Sequence, residues 1–112
     1  MTVQRGFDVA EVGEVRYMHT ELLRLKGELT RAGGSAGVAA AVSLFQDAIE
    51  VARLQGSRSL ELRASVSFGR LLRTENRRDE ARALLTPIYA SFTDGLDSLD
   101  LREAKALLDD LA

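Results

Sequence analysis

Apolar residues recur in steps of three and four along almost the whole chain, the spacing of amphipathic helices. The first stripe is Val12, Val15, Met18, Leu22, Leu25 and Leu29. It predicts one long helix whose apolar face turns to the core. "RAGGSAG", residues 31 to 37, stops it: Gly33 and Gly34 supply the termination signal and Ser35 can cap the next helix. The second stripe is Val38, Ala41, Val42, Phe45, Ala48, Ile49 and Ala52, closing at Gly56. Ser57 or Ser59 then caps a third helix carrying Leu60, Ala64, Phe68, Leu71 and Leu72. "TENRRDE", residues 74 to 80, is polar and opens a turn before Ala81, Leu84, Leu85, Ile88 and Phe92. After "FTDGLDSLD", Asp100 and Glu103 are spaced as a capping box with Asp in the Ser/Thr place. The last stripe is Leu101, Ala104, Leu107, Leu108 and Leu111. The pattern predicts an all-α chain of about five helices, with short links that make neighbours antiparallel. Residues 1–10 have no clear period, contain Gly6 and are expected to form a frayed start.

Two glycines interrupt this scheme. Gly27 and Gly69 lie inside strong helical patterns, where glycine costs about 1 kcal/mol relative to alanine. Their surroundings align. Gly27 is followed by Ala41, Phe45 and Ala48, and Gly69 by Ala81, Leu85 and Ile88. The first copy carries two extra residues, which fall in the glycine-rich loop. This is a degenerate internal repeat.

The repeat resembles the tetratricopeptide family, whose unit is a helix hairpin with a small residue in mid-helix A that admits helix B. The resemblance covers roughly residues 20–93. It departs from the family pattern at the early aromatic (Leu23 and Ser65 here), the later aromatic (Thr30 and Leu72) and the helix B proline (Arg53 and Thr93). It implies a right-handed α-solenoid fragment: a hairpin over 11–55, a second over 57–93 and a capping helix over 98–111, together one domain over 11–112. The stretches "ELLRLKGEL", "ARLQGSRSLELRA" and "RRDEARALLTPIYASFTDGLDSLDLREAKALLDDL", most of the chain, also look like the C-terminal tetratricopeptide tail of bacterial signalling proteins that carry a nucleotide cyclase, a signalling ATPase or a transcriptional regulator. No Walker motif and no cyclase aspartates are present, so those activities are not carried over.

Composition narrows the chemistry. The 112 residues are 46% hydrophobic and 29% charged, a globular profile, with a formal net charge of -2 that attracts neither nucleic acid nor an anionic membrane. The chain has no cysteine, which excludes disulfides, thiolate metal sites and cysteine nucleophiles. The first 15 residues hold no apolar run of signal-peptide length and no stretch is long enough to span a bilayer, so a cytoplasmic location is expected. His19 is the only histidine and reads as a surface residue. Asp94, Asp97 and Asp100 step by three but lack the glycine and terminal glutamate of a calcium loop. "RAGGSAG" lacks the Gly-Lys-Ser/Thr ending of a phosphate cradle. No catalytic residue, metal or cofactor is expected, and no enzyme. Pro87 inside "ALLTPIYASF" removes a donor that would bond Ala83; it reads as a kink, with a functional hinge as the alternative.

Charge is uneven. Val51 to Phe92 holds Arg53, Arg58, Arg63, Arg70, Arg73, Arg77, Arg78 and Arg82 against Glu61, Glu75, Asp79 and Glu80, whereas the tail from Thr93 is acidic. The tetratricopeptide resemblance puts Arg24, Glu28 and Arg31 of the first copy, with Arg63, Ser67, Arg70 and Arg73 of the second, on a concave face. Arg24, Arg31, Arg63, Arg70 and Arg73 are therefore the candidate partner-binding residues, suited to the carboxylates of an acidic peptide or protein. The same residues also read as an ordinary solvated face with local ion pairs. The other functional reading is a structural or assembly element that homo-oligomerises or docks on upstream repeats. The arginines lack interleaved aromatics, so no nucleic-acid partner is expected.

Overall fold

In a computed structural model of the chain, the structure describes residues 9–33, 37–92 and 98–112, with side-chain surroundings from residue 18 onward. These residues form five helices and no strand: α1 (Val9–Arg31), α2 (Val38–Gln55), α3 (Arg58–Thr74), α4 (Arg78–Ala90) and α5 (Leu99–Leu111). The frayed start expected over 1–10 falls largely outside the described residues, although Val9 and Ala10 already belong to α1.

Local chemistry explains the breaks. Gly56 ends α2 in the left-handed region at φ 70°, where a glycine carries no steric penalty. Ser57 caps α3, its hydroxyl accepting from the Leu60 amide at 3.3 Å. Asn76 takes φ 63° between α3 and α4. Ser98 caps α5 by accepting from the Leu101 amide at 3.3 Å, and this corrects the expected capping box. Asp100 lies inside the first turn, two residues past the cap, so its carboxylate can pair elsewhere. Ser35, the expected cap of α2, lies outside the described residues; the residue flanking α2 is Gly37, which provides no side-chain cap.

The helices stack in two layers. Contacts between α1 and α3 keep one offset: Arg24 reaches Ser67 and Arg31 reaches Thr74, each 43 residues on, so these helices run parallel. Arg63 to Asp100 and Arg73 to Asp110 set α5 parallel to α3 in the same way. Phe45 stacking on Phe68 (ring centroids 6.2 Å apart) and Arg53 meeting Glu61 set α2 antiparallel to α3. Helices α1, α3 and α5 thus lie side by side, with α2 and α4 forming the other layer.

Both glycines sit where helices touch most closely. A β-carbon on Gly27 would lie 2.6 Å from the Phe45 ring, and one on Gly69 would lie 2.9 Å from Leu85 and 3.1 Å from Leu107. The lost helix propensity is thus matched by close packing within each hairpin, and in α3 by α5 as well. The core joins Ala41, Phe45, Ala48 and Ile49 of α2, most of α3, Ala81, Leu85 and Ile88 of α4, and Leu101, Ala104, Leu107 and Leu111 of α5. Four of the five sequence stripes turn to the core as expected.

The α1 stripe does not. Met18, Leu22, Leu25 and Leu29 are 58%, 56%, 47% and 76% exposed. The helix instead buries Thr20 and Gly27 and half-buries Leu23. Steric fit is the cause. Phe45 is wholly enclosed, and only a glycine lets α1 come down onto its ring. Once Gly27 faces α2, the leucine stripe is carried round to the outside, because residues 25 and 29 lie two positions away, about 200° around the helix.

Candidate functional site

The five arginines singled out in the sequence converge on one side of the α1/α3/α5 layer. Arg24, Arg63 and Arg70, with Val66, Ser67, Leu99, Asp100 and Glu103, line a groove of about 330 Å³. Arg31 and Arg73 continue the row toward the C-terminal ends of α1 and α3, where Arg31 donates to Thr74 at 3.1 Å.

Every one of these arginines meets a carboxylate of the same chain. Arg63 bridges Glu21 of α1 and Asp100 of α5, each at 3.1 Å. Arg70 meets Glu103 at 3.4 Å, and Arg73 meets Asp110 at 2.8 Å. Arg24 pairs with Glu21 at 3.1 Å, and Arg31 with Glu28 at 3.6 Å. The acidic character of the tail is thus taken up by its neighbour: Asp100, Glu103 and Asp110 line the side of α5 that faces the α3 arginines.

Glu21 is the hub. Burial alone would raise its pKa, but hydrogen bonds from Arg24 and Arg63, and their charge, outweigh burial and hold the carboxyl below its ordinary value. Glu21 was not among the residues the sequence marked. Its one signal there is its position three residues before Arg24, on the same helix face. Asp100 was marked only as a cap or turn residue.

The rest of the surface carries little chemistry. His19 is exposed on α1. Among the described residues no group of three His, Asp or Glu side chains could hold a metal ion. Asp94 and Asp97 lie outside the described residues. No helix among them is long and apolar enough to cross a membrane. Thr20 and Ser65 are buried hydroxyls without a hydrogen-bond partner among the described residues.

The largest unsatisfied feature is apolar. Met18, Leu22, Leu25 and Leu29 form one continuous strip over three turns of α1, more than half exposed on average. Sequence reading placed this strip in the core; the conflict between two stripes on one helix, large at 18/22/25/29 and small at 20/27, was the signal that could have found it. Comparison of the chain with protein-family models, with curated proteins and with solved structures finds no match.

Proposed function

We propose that this chain is a non-catalytic protein–protein interaction module that works as an assembly element through the outer face of α1. One observation carries the reading: four large apolar side chains stand exposed in a row on a helix whose opposite face is already packed. Contiguous exposed apolar surface of this kind marks interaction sites in soluble proteins. Burying the remaining half of each side chain contributes roughly 1 kcal/mol apiece. The repeated glycine seats and the end helix support the tetratricopeptide-like reading of the scaffold, in which α5 serves as the capping element.

The second reading is the concave one, in which Arg24, Arg31, Arg63, Arg70 and Arg73 bind an acidic segment. The convergence of the arginines favours it. Against it stands the occupation of the α3 arginines by Asp100, Glu103 and Asp110, which an incoming peptide would displace at little net gain, because half-exposed ion pairs are individually worth under about 1 kcal/mol.

Affinity capture from the source cell separates the two, using wild type, Leu22→Glu with Leu25→Glu, and Arg63→Glu with Arg70→Glu. The assembly reading expects association, with self or with another protein, to vanish in the leucine pair and persist in the arginine pair. The reverse pattern replaces it with the concave reading.

A further inference from the structure

Helix α1 and the surface beneath it are unequally committed to each other. Among the described residues α2 touches only α1 and α3, so its core side chains depend on α1 for cover along one flank. The demand centres on Phe45. Its ring is wholly enclosed, stacked on Phe68 at 6.2 Å, with the α1 backbone at Gly27 closing over it. Without a helix there, an aromatic ring meets water. Helix α1 answers that demand with little apolar surface of its own. Its buried described residues are Thr20 and Gly27, and Leu23 is half-buried. The Thr20 hydroxyl has no partner there among the described residues, a cost that water relieves once the helix lifts. Helix α5, by contrast, sinks Leu101, Ala104, Leu107 and Leu111 into the core, none more than 4% exposed. What else holds α1 is polar and lies at the rim of α3. Glu21 meets Arg63 at 3.1 Å, Arg24 reaches Ser67 at 3.4 Å and Arg31 reaches Thr74 at 3.1 Å. Water can stand in for each of these contacts.

We propose that α1 is a releasable helix, an internal occupant of a helix-receiving site formed by α2 and α3, and that its release opens this site to an incoming helix. The site states what it takes. Phe45 admits only a glycine at the point of contact, as at Gly27. Arg63 takes a carboxylate six residues ahead of that glycine, as from Glu21. The outward face of the occupant is left unspecified, since Met18, Leu22, Leu25 and Leu29 of α1 point away from the site. The inference therefore goes beyond the assembly reading and uses the opposite face of the same helix.

The test uses the full chain and a labelled synthetic peptide of residues 9–31. Gly27→Leu in the chain lifts its own α1 and leaves the site open. This variant should take up the peptide about tenfold more tightly than wild type, whose tethered α1 outcompetes the free one. The same peptide carrying Gly27→Leu should bind neither chain. A peptide carrying Glu21→Gln should bind the variant chain more weakly than the unaltered peptide does. One carrying Leu22→Glu with Leu25→Glu should bind it equally well. In wild type alone, α1 amides should exchange through an opening with a shallower denaturant dependence than that of α3.

Three results overturn the proposal. Equal uptake of the peptide by wild type and by the Gly27→Leu chain means that lifting α1 opens no site. Uptake that needs Leu22 and Leu25 of the peptide, and is indifferent to its Gly27, places the peptide by its strip; the assembly reading then stands and this one falls. Amides of α1 and α3 that exchange through one common unfolding show that α1 is not released, whether or not the Gly27→Leu chain folds.

Discussion

The two hairpins use one device in different company. In each, a mid-helix glycine receives a bulky side chain from the facing helix: Phe45 over Gly27, and Leu85 over Gly69. The surroundings diverge from there. Helix α3 touches all four other helices, and ten of its residues, Ser65 and Ser67 included, are buried. Helix α1 rests on α2 and touches α3, and among the described residues nothing covers its outer strip. The same local lock therefore belongs to the centre of the molecule in one copy and to its edge in the other. What a glycine seat contributes depends on whether the helix holding it is clamped from one side or from two.

The largest expected effect comes from removing the second clamp. Deleting residues 98–112 strips Leu101, Ala104, Leu107 and Leu111 from the core and uncovers the far side of α3 and α4. It also leaves Arg63, Arg70 and Arg73 without their α5 carboxylates. The truncated chain should aggregate and lose its cooperative melt. A truncated chain as stable and as well dispersed as the full one would show that α3 does not depend on α5.

Gly69→Leu and Gly27→Leu compare the seats directly. At Gly69 the new side chain meets Leu85 and Leu107 together, with no free direction, and should cost about 2 to 3 kcal/mol in a chemical melt. At Gly27 the clash is with the Phe45 ring alone. Helix α1 can relieve it by lifting from α2, so the loss should appear as faster amide exchange in α1, with a global cost nearer to about 1 kcal/mol. Equal global losses would mean that the hairpins are clamped alike.

The contrast also accounts for how much was readable in the sequence. Helices α2, α4 and α5 each carry one apolar stripe that turns to the core, because only one face of each helix competes for it; the α3 stripe also turns to the core, but α3 buries Leu62 and Val66 on its opposite face as well. Helix α1 carries two faces that can pack, a leucine strip and a small-residue strip. Periodicity ranks them by hydrophobicity and picks the leucines. The choice is made by Phe45, a residue on another helix, whose ring fits only over a glycine. The candidate site divides in the same way. The arginine row was legible from the repeat register. Its carboxylates were not, because Asp100, Glu103 and Asp110 reach α3 only through the placement of α5, which no local pattern encodes. The shift of the cap from Asp100 to Ser98 is part of the same loss: two residues of register decide whether a carboxylate caps a helix or pairs with Arg63.

Acid should loosen the edge before the centre. Glu21 ties α1 to Arg63 of α3, and its pKa is depressed in the folded chain. A depressed carboxyl contributes stability that is present above its unfolded pKa, near 4.5, and is lost as pH falls through the folded value. Between pH 6 and pH 3 the wild type should therefore lose more stability than Glu21→Gln, whose side chain cannot titrate. Exchange in α1 should rise with acid ahead of exchange in α3. Parallel pH curves for the two proteins would mean that Glu21 does not couple the hairpins.

The smallest effect concerns two buried hydroxyls that find no partner among the described residues, Thr20 on α1 and Ser65 on α3. A buried hydroxyl left unpaired carries its desolvation cost without compensation, so replacing it with an apolar group of similar shape should be neutral or stabilising. Thr20→Val keeps the branched shape and has nearly the same helix propensity, so any gain comes from the hydroxyl itself. Ser65→Ala adds about a few tenths of a kcal/mol of propensity to the same gain. Each should be worth up to about 1 kcal/mol, and the two gains should be read in different places. Helix α3 opens only when the whole molecule unfolds, so Ser65→Ala should raise the denaturant midpoint. Helix α1 can open alone, so Thr20→Val should slow exchange of α1 amides while moving the global midpoint less. A Thr20→Val variant that lost stability would show that the hydroxyl holds a water or a carbonyl there, and that the edge of this molecule is better satisfied than its centre.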